Sequence, residues 1–215
     1  MGRIAQDRAT RGSQRWLQEY VNSRREELDA VVGLGPLDWL SPLADDDFAE
    51  YRDGAFLERL DVRLEQRRLA SFWPRGGPVW DGLARTAAGA CVLVEAKAHV
   101  SELSSSCAAS APASLATIRA AFRETQRGLG AAGHADWCSG FYQYANRLAH
   151  AYLLNELNRV PAELVFLYFV GDADVHGPAA EGEWRDAIEI VHRRLAVERL
   201  PTYVHEVFLD VGDSG

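Results

Sequence analysis

Leu164 to Val170 is an unbroken run of seven apolar residues, Leu-Val-Phe-Leu-Tyr-Phe-Val, closed by Gly171. It is far short of the ~20 residues that a membrane-spanning helix needs. A strand with one wet face would alternate apolar and polar residues, and this run does not. Ala162 to Gly171 therefore reads as a strand buried on both faces, which requires a sheet with helices on either side.

The rest of the chain supplies those helices. Ser13 to Val32 reads as one amphipathic helix, with Trp16, Leu17, Tyr20 and Val21 on one broad face, ended by Gly33-Leu34-Gly35-Pro36. Asp45 to Leu69 reads as a second helical region, interrupted near Gly54, with Phe56, Leu57, Leu60 and Leu64 as its stripe. Asp45-Asp46-Asp47 reads as its cap and acidic first turn rather than a metal cluster. Val79 to Thr86 and Ala90 to Ala98 read as strands joined at Ala87-Ala88-Gly89 into a hairpin. Ser101 to Ser114 is a Ser/Ala-rich loop. Helices follow at Leu115 to Leu129, Trp137 to Asn158 and Gly182 to Glu198, and a last strand at Thr202 to Val211. The expectation is α/β: a small mixed β-sheet flanked by helices in a single domain over 1–215, with a helical N-terminal region at 13–70 and a core at 78–211.

Net charge is -8 and the pI about 5.3. That balance argues against a protein that coats nucleic acid non-specifically, since such binding rests on neutralising phosphates. It leaves room for an enzyme with a local basic groove. Three cysteines, without CxxC spacing, suggest neither a disulfide framework nor a zinc site. The N-terminus lacks an apolar signal region, so a reducing cytoplasm and no membrane are expected.

Of 23 cationic residues, 22 are arginine; the exception is Lys97, in Val94-Glu95-Ala96-Lys97. Lysine differs from arginine in being a compact charge whose pKa shifts when buried, a property catalysis uses. On an extended strand Glu95 and Lys97 project to one side, with Val94 and Ala96 on the other. Charges on so apolar a strand need partners. Asp81, on the other arm of the hairpin, is placed to bring its carboxylate near Glu95. Two adjacent carboxylates call for a cation, and hard oxygen ligands suit Mg²⁺ or Mn²⁺, with the Ala96 carbonyl as a neutral third ligand. Lys97 would then orient a water, stabilise charge on a phosphate, or help deprotonate a nucleophile. The alternative is a structural salt-bridge cluster.

Asp81, thirteen residues, then Glu95-Ala96-Lys97 resembles the D-x(n)-E-x-K signature of the PD-(D/E)XK nuclease superfamily, the restriction-endonuclease-like fold. Pro78-Val79-Trp80-Asp81-Gly82 followed by Val94-Glu95-Ala96-Lys97-Ala98-His99 also resembles a group of uncharacterised bacterial members. The motif covers 78–99, and the order of helix, hairpin, helix and strand extends the likeness over most of the chain. The resemblance implies a Mg²⁺- or Mn²⁺-dependent nuclease, DNA favoured, with Asp81, Glu95 and Lys97 catalytic and Asp81, Glu95 and Ala96 on the metal. Many members add a glutamate from the first helical region; Glu19, Glu58 and Glu65 are the candidates. Several branches carry a Gln, often with a Tyr one turn later, in the helix after the ExK strand. Here Gln143 fits that place and Arg147 stands one turn on.

Gln143 and Arg147, with His150, share a helical face and are candidate substrate contacts, as is His99 on the Glu95–Lys97 side of its strand. Each has an ordinary structural reading as well, a surface stripe or a strand-end histidine. Trp80 is expected on the opposite strand face from Asp81, packed under the site. Asp172, Asp174 and His176 read as turn residues, and Arg119, Arg123 and Arg127 as a solvated helix face or a phosphate rail. The Ser/Ala-rich loop is a candidate substrate gate. No DNA-reading module is evident, so specificity would come from loops, a homodimer or a partner. The rival readings are a catalytically silent interaction protein on the same fold and a metal-dependent phosphohydrolase of small nucleotides.

Overall fold

The computed structural model describes residues 2–131, 133 and 135–212. Residues 1, 132, 134 and 213–215, which the expected domain includes, lie outside the described residues. Along the chain run β1 (Arg3–Ile4), α1 (Gly12–Ser23), α2 (Arg25–Val32), β2 (Leu37–Ser41), β3 (Glu50–Tyr51), α3 (Gly54–Arg59) and α4 (Leu69–Phe72). There follow β4 (Gly82–Thr86), β5 (Cys91–Lys97), α5 (Pro112–Leu129), α6 (Tyr142–Tyr152), β6 (Ala162–Val170), α7 (Glu181–Leu195) and β7 (Val204–Asp210). The architecture is a mixed α/β fold. Its main sheet has five strands in the order β2-β4-β5-β6-β7, and β1 and β3 form a separate two-stranded ribbon.

The apolar run forms β6, paired in parallel with both β5 and β7. Its residues divide between two cores. Leu164, Phe166, Tyr168 and Val170 face one, packed with α5, α6 and α7 residues such as Phe122, Leu148 and Trp184. Val165, Leu167 and Phe169 face the other, covered by Trp16, Leu17 and Tyr20 of α1 and by Leu28 and Val32 of α2. A continuous apolar sequence is what two covered faces demand. Among the described residues no helix is long and apolar enough to cross a membrane.

The N-terminal third departs from the expected helical region at 13–70. The helix over 13–32 is broken at Arg24, whose backbone leaves helical geometry (φ -135°, ψ 39°). Leu37–Ser41 is a strand that joins the main sheet antiparallel to β4. Asp45-Asp46-Asp47 do not open a long helix: a 3₁₀ turn at Ala44–Asp46 leads into β3, and only α3 and α4 remain of the helix expected over 45–69. Leu37, Trp39 and Ser41 are buried where Asp38 is exposed, so tertiary pairing overrides a local pattern too short to declare itself. The strand expected from Val79 begins at Gly82, and the helix expected from Trp137 begins at Tyr142 and ends in a π-helical turn at Leu153–Leu157.

Candidate active site

The site is built where the β4–β5 hairpin opens. The two strands pair from Arg85↔Cys91 to Gly82↔Val94, and there β4 ends. Gly82 keeps this junction close-packed: a Cβ there would meet the Val94 Cβ at 3.2 Å and the Trp39 ring at 3.3 Å. Beyond it, Asp81 replaces the lost strand partner: its Oδ2 accepts the Ala96 N–H at 2.8 Å. In an extended strand the N–H and C=O of one residue point to the same neighbour. The Ala96 carbonyl is thereby directed to the Asp81 edge as well.

Glu95 and Lys97 project together toward the α5–α6 side, as the alternation requires. Glu95 is 2% exposed and Lys97 9%. Lys97 Nζ donates to Glu95 Oε1 at 2.5 Å. The other carboxylate oxygen takes Arg147 of α6, whose Nε donates to Glu95 Oε2 at 2.6 Å and whose Nη2 also contacts it. Arg147 donates further to the Val79 carbonyl (2.7 Å) and to Asn146 Oδ1 (2.7 Å), with its guanidinium 4.9 Å from the Trp80 ring centre. Trp80 thus packs under the site, as expected. It lies with Glu95 on the α5–α6 side, and since Asp81 falls outside β4 the expected opposition of strand faces does not apply.

Electrostatics divide the two carboxylates. Burial would push the Glu95 carboxyl up, but the Arg147 and Lys97 charges hold it below the usual range. For Asp81 burial and the charges of Glu95 and Glu50 all push upward, and Lys97 only partly offsets them. Burial would lower the Lys97 ammonium, yet Glu95 and Asp81 hold it above its ordinary value. Its carboxylate neighbours thus hold Lys97 as the ammonium in the metal-free chain.

Glu50 is the residue the sequence did not offer. Burial raises its carboxyl, and Glu95 adds to the rise. Gln6 and Gln14 hold it through hydrogen bonds of 3.0 and 3.1 Å. It is not a lining residue of the cleft but interacts electrostatically with Asp81 and Glu95, brought near by the bridge from Tyr51 of β3 to Trp80. The expected glutamates do not reach the site: Glu58 and Glu65 are exposed, and Glu19 lines a separate depression beside Arg15 and Asn22.

Asp81, Glu95, Lys97 and Arg147 form the floor of an open cleft of about 640 Å³. One wall is the Pro74–Val79 loop, anchored where Asp53 Oδ1 accepts the Gly76 and Gly77 N–H groups (3.1 and 2.9 Å). The opposite wall is the Ser/Ala-rich segment from Ser105 to Ser114, and Gln143 and Asn146 of α6 close the end. Gln143 is thus in the cleft. Arg147 is there too, but 4% exposed and committed to Glu95, so its first task is to hold that carboxylate rather than a substrate. His99 is not among the lining residues; its Nδ1 accepts the Ser101 N–H (3.0 Å) and caps the turn at Val100–Leu103. His150 is turned inward among Phe56, Phe72, Trp73 and Trp80, and burial lowers its pKa to about 4. Asp172 and His176 belong to a turn, with Asp172 Oδ1 accepting the Asp174 N–H (3.1 Å).

Among the described residues no group of three or more His, Cys, Asp or Glu side chains is placed to hold a metal ion. Two carboxylates and a backbone carbonyl are donor types that Mg²⁺ takes, but both Glu95 oxygens are engaged by Lys97 and Arg147. Comparison with protein-family models, curated proteins and solved structures finds no match to this chain.

Proposed function

We propose that the protein is a Mg²⁺- or Mn²⁺-dependent nuclease of the PD-(D/E)XK type, hydrolysing phosphodiester bonds of nucleic acid, with DNA the favoured substrate. The observation that carries this reading is the meeting of Asp81, Glu95 and the chain's one lysine on the floor of a single open cleft. Asp81, Glu95 and the Ala96 carbonyl are the groups that would hold the ion. When bound, it supplies a water of lowered pKa and neutralises phosphate charge.

The chain's own residues then have distinct tasks. Lys97 presents a fixed ammonium to a phosphoryl oxygen, where charge builds in the transition state. Arg147 locks the plane of the Glu95 carboxylate. Residues at the N-terminal ends of α5 (Ser114) and α6 (Tyr142, Gln143) line the cleft, and helix N-termini favour anions. Gln143, which lines the cleft, would contact the substrate.

A second reading has one observation in its favour: both oxygens of Glu95 already take cations, as they would in a structural ion-pair cluster of an interaction protein. Cleavage of labelled single- and double-stranded DNA and RNA, with a small-nucleotide control, separates the two. We expect metal-dependent strand cleavage that falls on the order of 10²–10⁴-fold in Lys97→Ala and in Asp81→Ala. Absence of cleavage on every substrate, with no Mn²⁺ binding by calorimetry, would leave the interaction protein. Turnover of the small nucleotide alone would redirect the reading to a phosphohydrolase.

A further inference from the structure

Two of the three cysteines are brought together at the edge of the cleft. Cys107 lies in the Ser/Ala-rich wall, between the lining residues Ser106 and Ala108. Cys138 lies in the segment that leads into α6. The Cys107 N–H donates to the Cys138 carbonyl at 2.8 Å. Nearby, the Ser105 N–H donates to the Gly140 carbonyl (2.7 Å) and the Tyr142 N–H to the Ser105 carbonyl (3.1 Å). An amide–carbonyl bond of that length places the two α-carbons roughly 5–6.5 Å apart, inside the ~4.4–6.8 Å window that a disulfide needs.

The two thiols are also near enough to interact electrostatically. Burial raises the Cys138 thiol, and the Cys107 thiol adds to that rise. Both cysteines are partly exposed, whereas Cys91 is buried. Arg119 of α5 stands beside Cys138 and favours its thiolate. Neither cysteine is a lining residue of the cleft floor, so oxidation would leave Asp81, Glu95 and Lys97 in place.

We propose that Cys107 and Cys138 are a redox modification site: a dithiol that low-molecular-weight disulfides oxidise to an intramolecular disulfide clamping the Ser/Ala-rich wall to the start of α6. One protein thiolate attacks the small disulfide, forming a mixed disulfide and releasing one thiolate. The second protein thiolate then attacks the cysteine sulfur of that mixed disulfide and releases the other. Two protein thiols are oxidised, one small disulfide is reduced to two thiols, and the two protons go to the released thiolates. The clamp fixes the distance between the wall and the helix that carries Gln143 and Arg147. Outside oxidising compartments such bonds are transient and regulatory.

The test uses the full chain, reduced and then exposed to oxidised glutathione in native buffer, quenched by alkylation and mapped by mass spectrometry. The expected product is a peptide linking Cys107 to Cys138, with Cys91 alkylated, reversed by dithiothreitol and absent from Cys107→Ser and Cys138→Ser. Oxidised wild type should be cut more slowly by protease within residues 104–111 than reduced protein, and Cys107→Ser should show no such difference. Separate glutathione adducts with no linked peptide, or a link that forms only in denaturant, would overturn the site. Equal proteolysis of the two states would overturn the clamp. None of these readouts needs activity, so the outcome is independent of the nuclease reading.

Discussion

On one face of the sheet, α1 and α2 lay Trp16, Leu17, Tyr20 and Leu28 over Val94, Ala96, Val165 and Phe169. On the other, one residue further along the same strands, the sheet presents Glu95 and Lys97 from β5, Tyr168 from β6 and Glu206 from β7. The first face is held by apolar burial, worth about 1.5–3 kcal/mol for each large side chain. The second needs a partner for every charge: Arg147 and Lys97 for Glu95, Tyr144 and His192 for Glu206 (2.8 and 2.9 Å). Burying those groups is costly, and well-packed apolar residues of similar volume would often serve stability as well or better. Both faces pack apolar cores, but only the α5–α6 face adds a buried cluster of charges that stability alone does not call for.

The largest effect on stability belongs to the apolar face. Phe169 is fully buried and its ring centre lies 6.4 Å from Tyr20 and 6.5 Å from Trp16. Phe169→Ala should cost about 3–5 kcal/mol, measured by urea denaturation, and leave cleavage per folded molecule unchanged. A stability loss below about 1 kcal/mol would mean that the Phe169 contacts with Tyr20 and Trp16 do not hold this face together.

Arg147→Met probes the charged face. It leaves Glu95 to Lys97 alone, and breaking a buried pair from one side costs about 3–5 kcal/mol. Adding Glu95→Gln should return much of that loss without returning activity. If the single variant is neutral, the ion-pair cluster does not hold the two elements together, and the comparison of faces fails.

His150 supplies a pH-dependent version of the same contrast. Its pKa is lowered to about 4 from 6.5, first by burial among aromatic rings, and its Nδ1–H donates to the Asn146 carbonyl at 2.8 Å. Between those values the unfolded chain binds a proton that the folded chain refuses. The stability it contributes is therefore whole above pH 6.5 and lost as pH falls through 4, about 3 kcal/mol in all. His150→Phe should flatten that part of the denaturation profile; an unchanged slope would assign the acid lability to the carboxylates.

What could be read beforehand follows from range. β5 and β6 declare themselves because burial on both faces is written into consecutive residues. Glu95 and Lys97 stand out because they interrupt an apolar strand, whereas Gln143 is singled out by the family resemblance. β2 is hidden: Leu37–Ser41 is short, follows a Gly-Pro break, and becomes a strand only by pairing with β4. Glu50 is brought near the site by the Tyr51↔Trp80 bridge, a contact between residues far apart that no spacing reveals. Arg147 was visible as a stripe residue, but its partner lies on β5, and so its role as anchor of Glu95 was not. His99 was misplaced because the strand ends at Lys97 and the chain turns at His99 into a cap.

The smallest expected effect divides the faces most finely. Asp81 is half-buried, shares its surroundings with Glu95 and Glu50, and accepts one backbone N–H. A raised carboxyl pKa means that stability is present at low pH and is lost as pH rises through the folded value. Without metal, the Asp81 carboxyl is pushed up to about 8, and its ionisation above that pH works against the fold. Asp81→Asn keeps the acceptor for Ala96 and removes the charge. It should raise stability by about 1 kcal/mol in chelator, a gain of the size seen where function holds a residue away from its most stable choice, because water in the cleft screens part of the repulsion. The same variant should abolish cleavage and weaken Mn²⁺ binding. A structural carboxylate would show the opposite sign, with Asn destabilising and activity, if any, surviving; a thermal melt in chelator beside a cleavage assay on one preparation reads both.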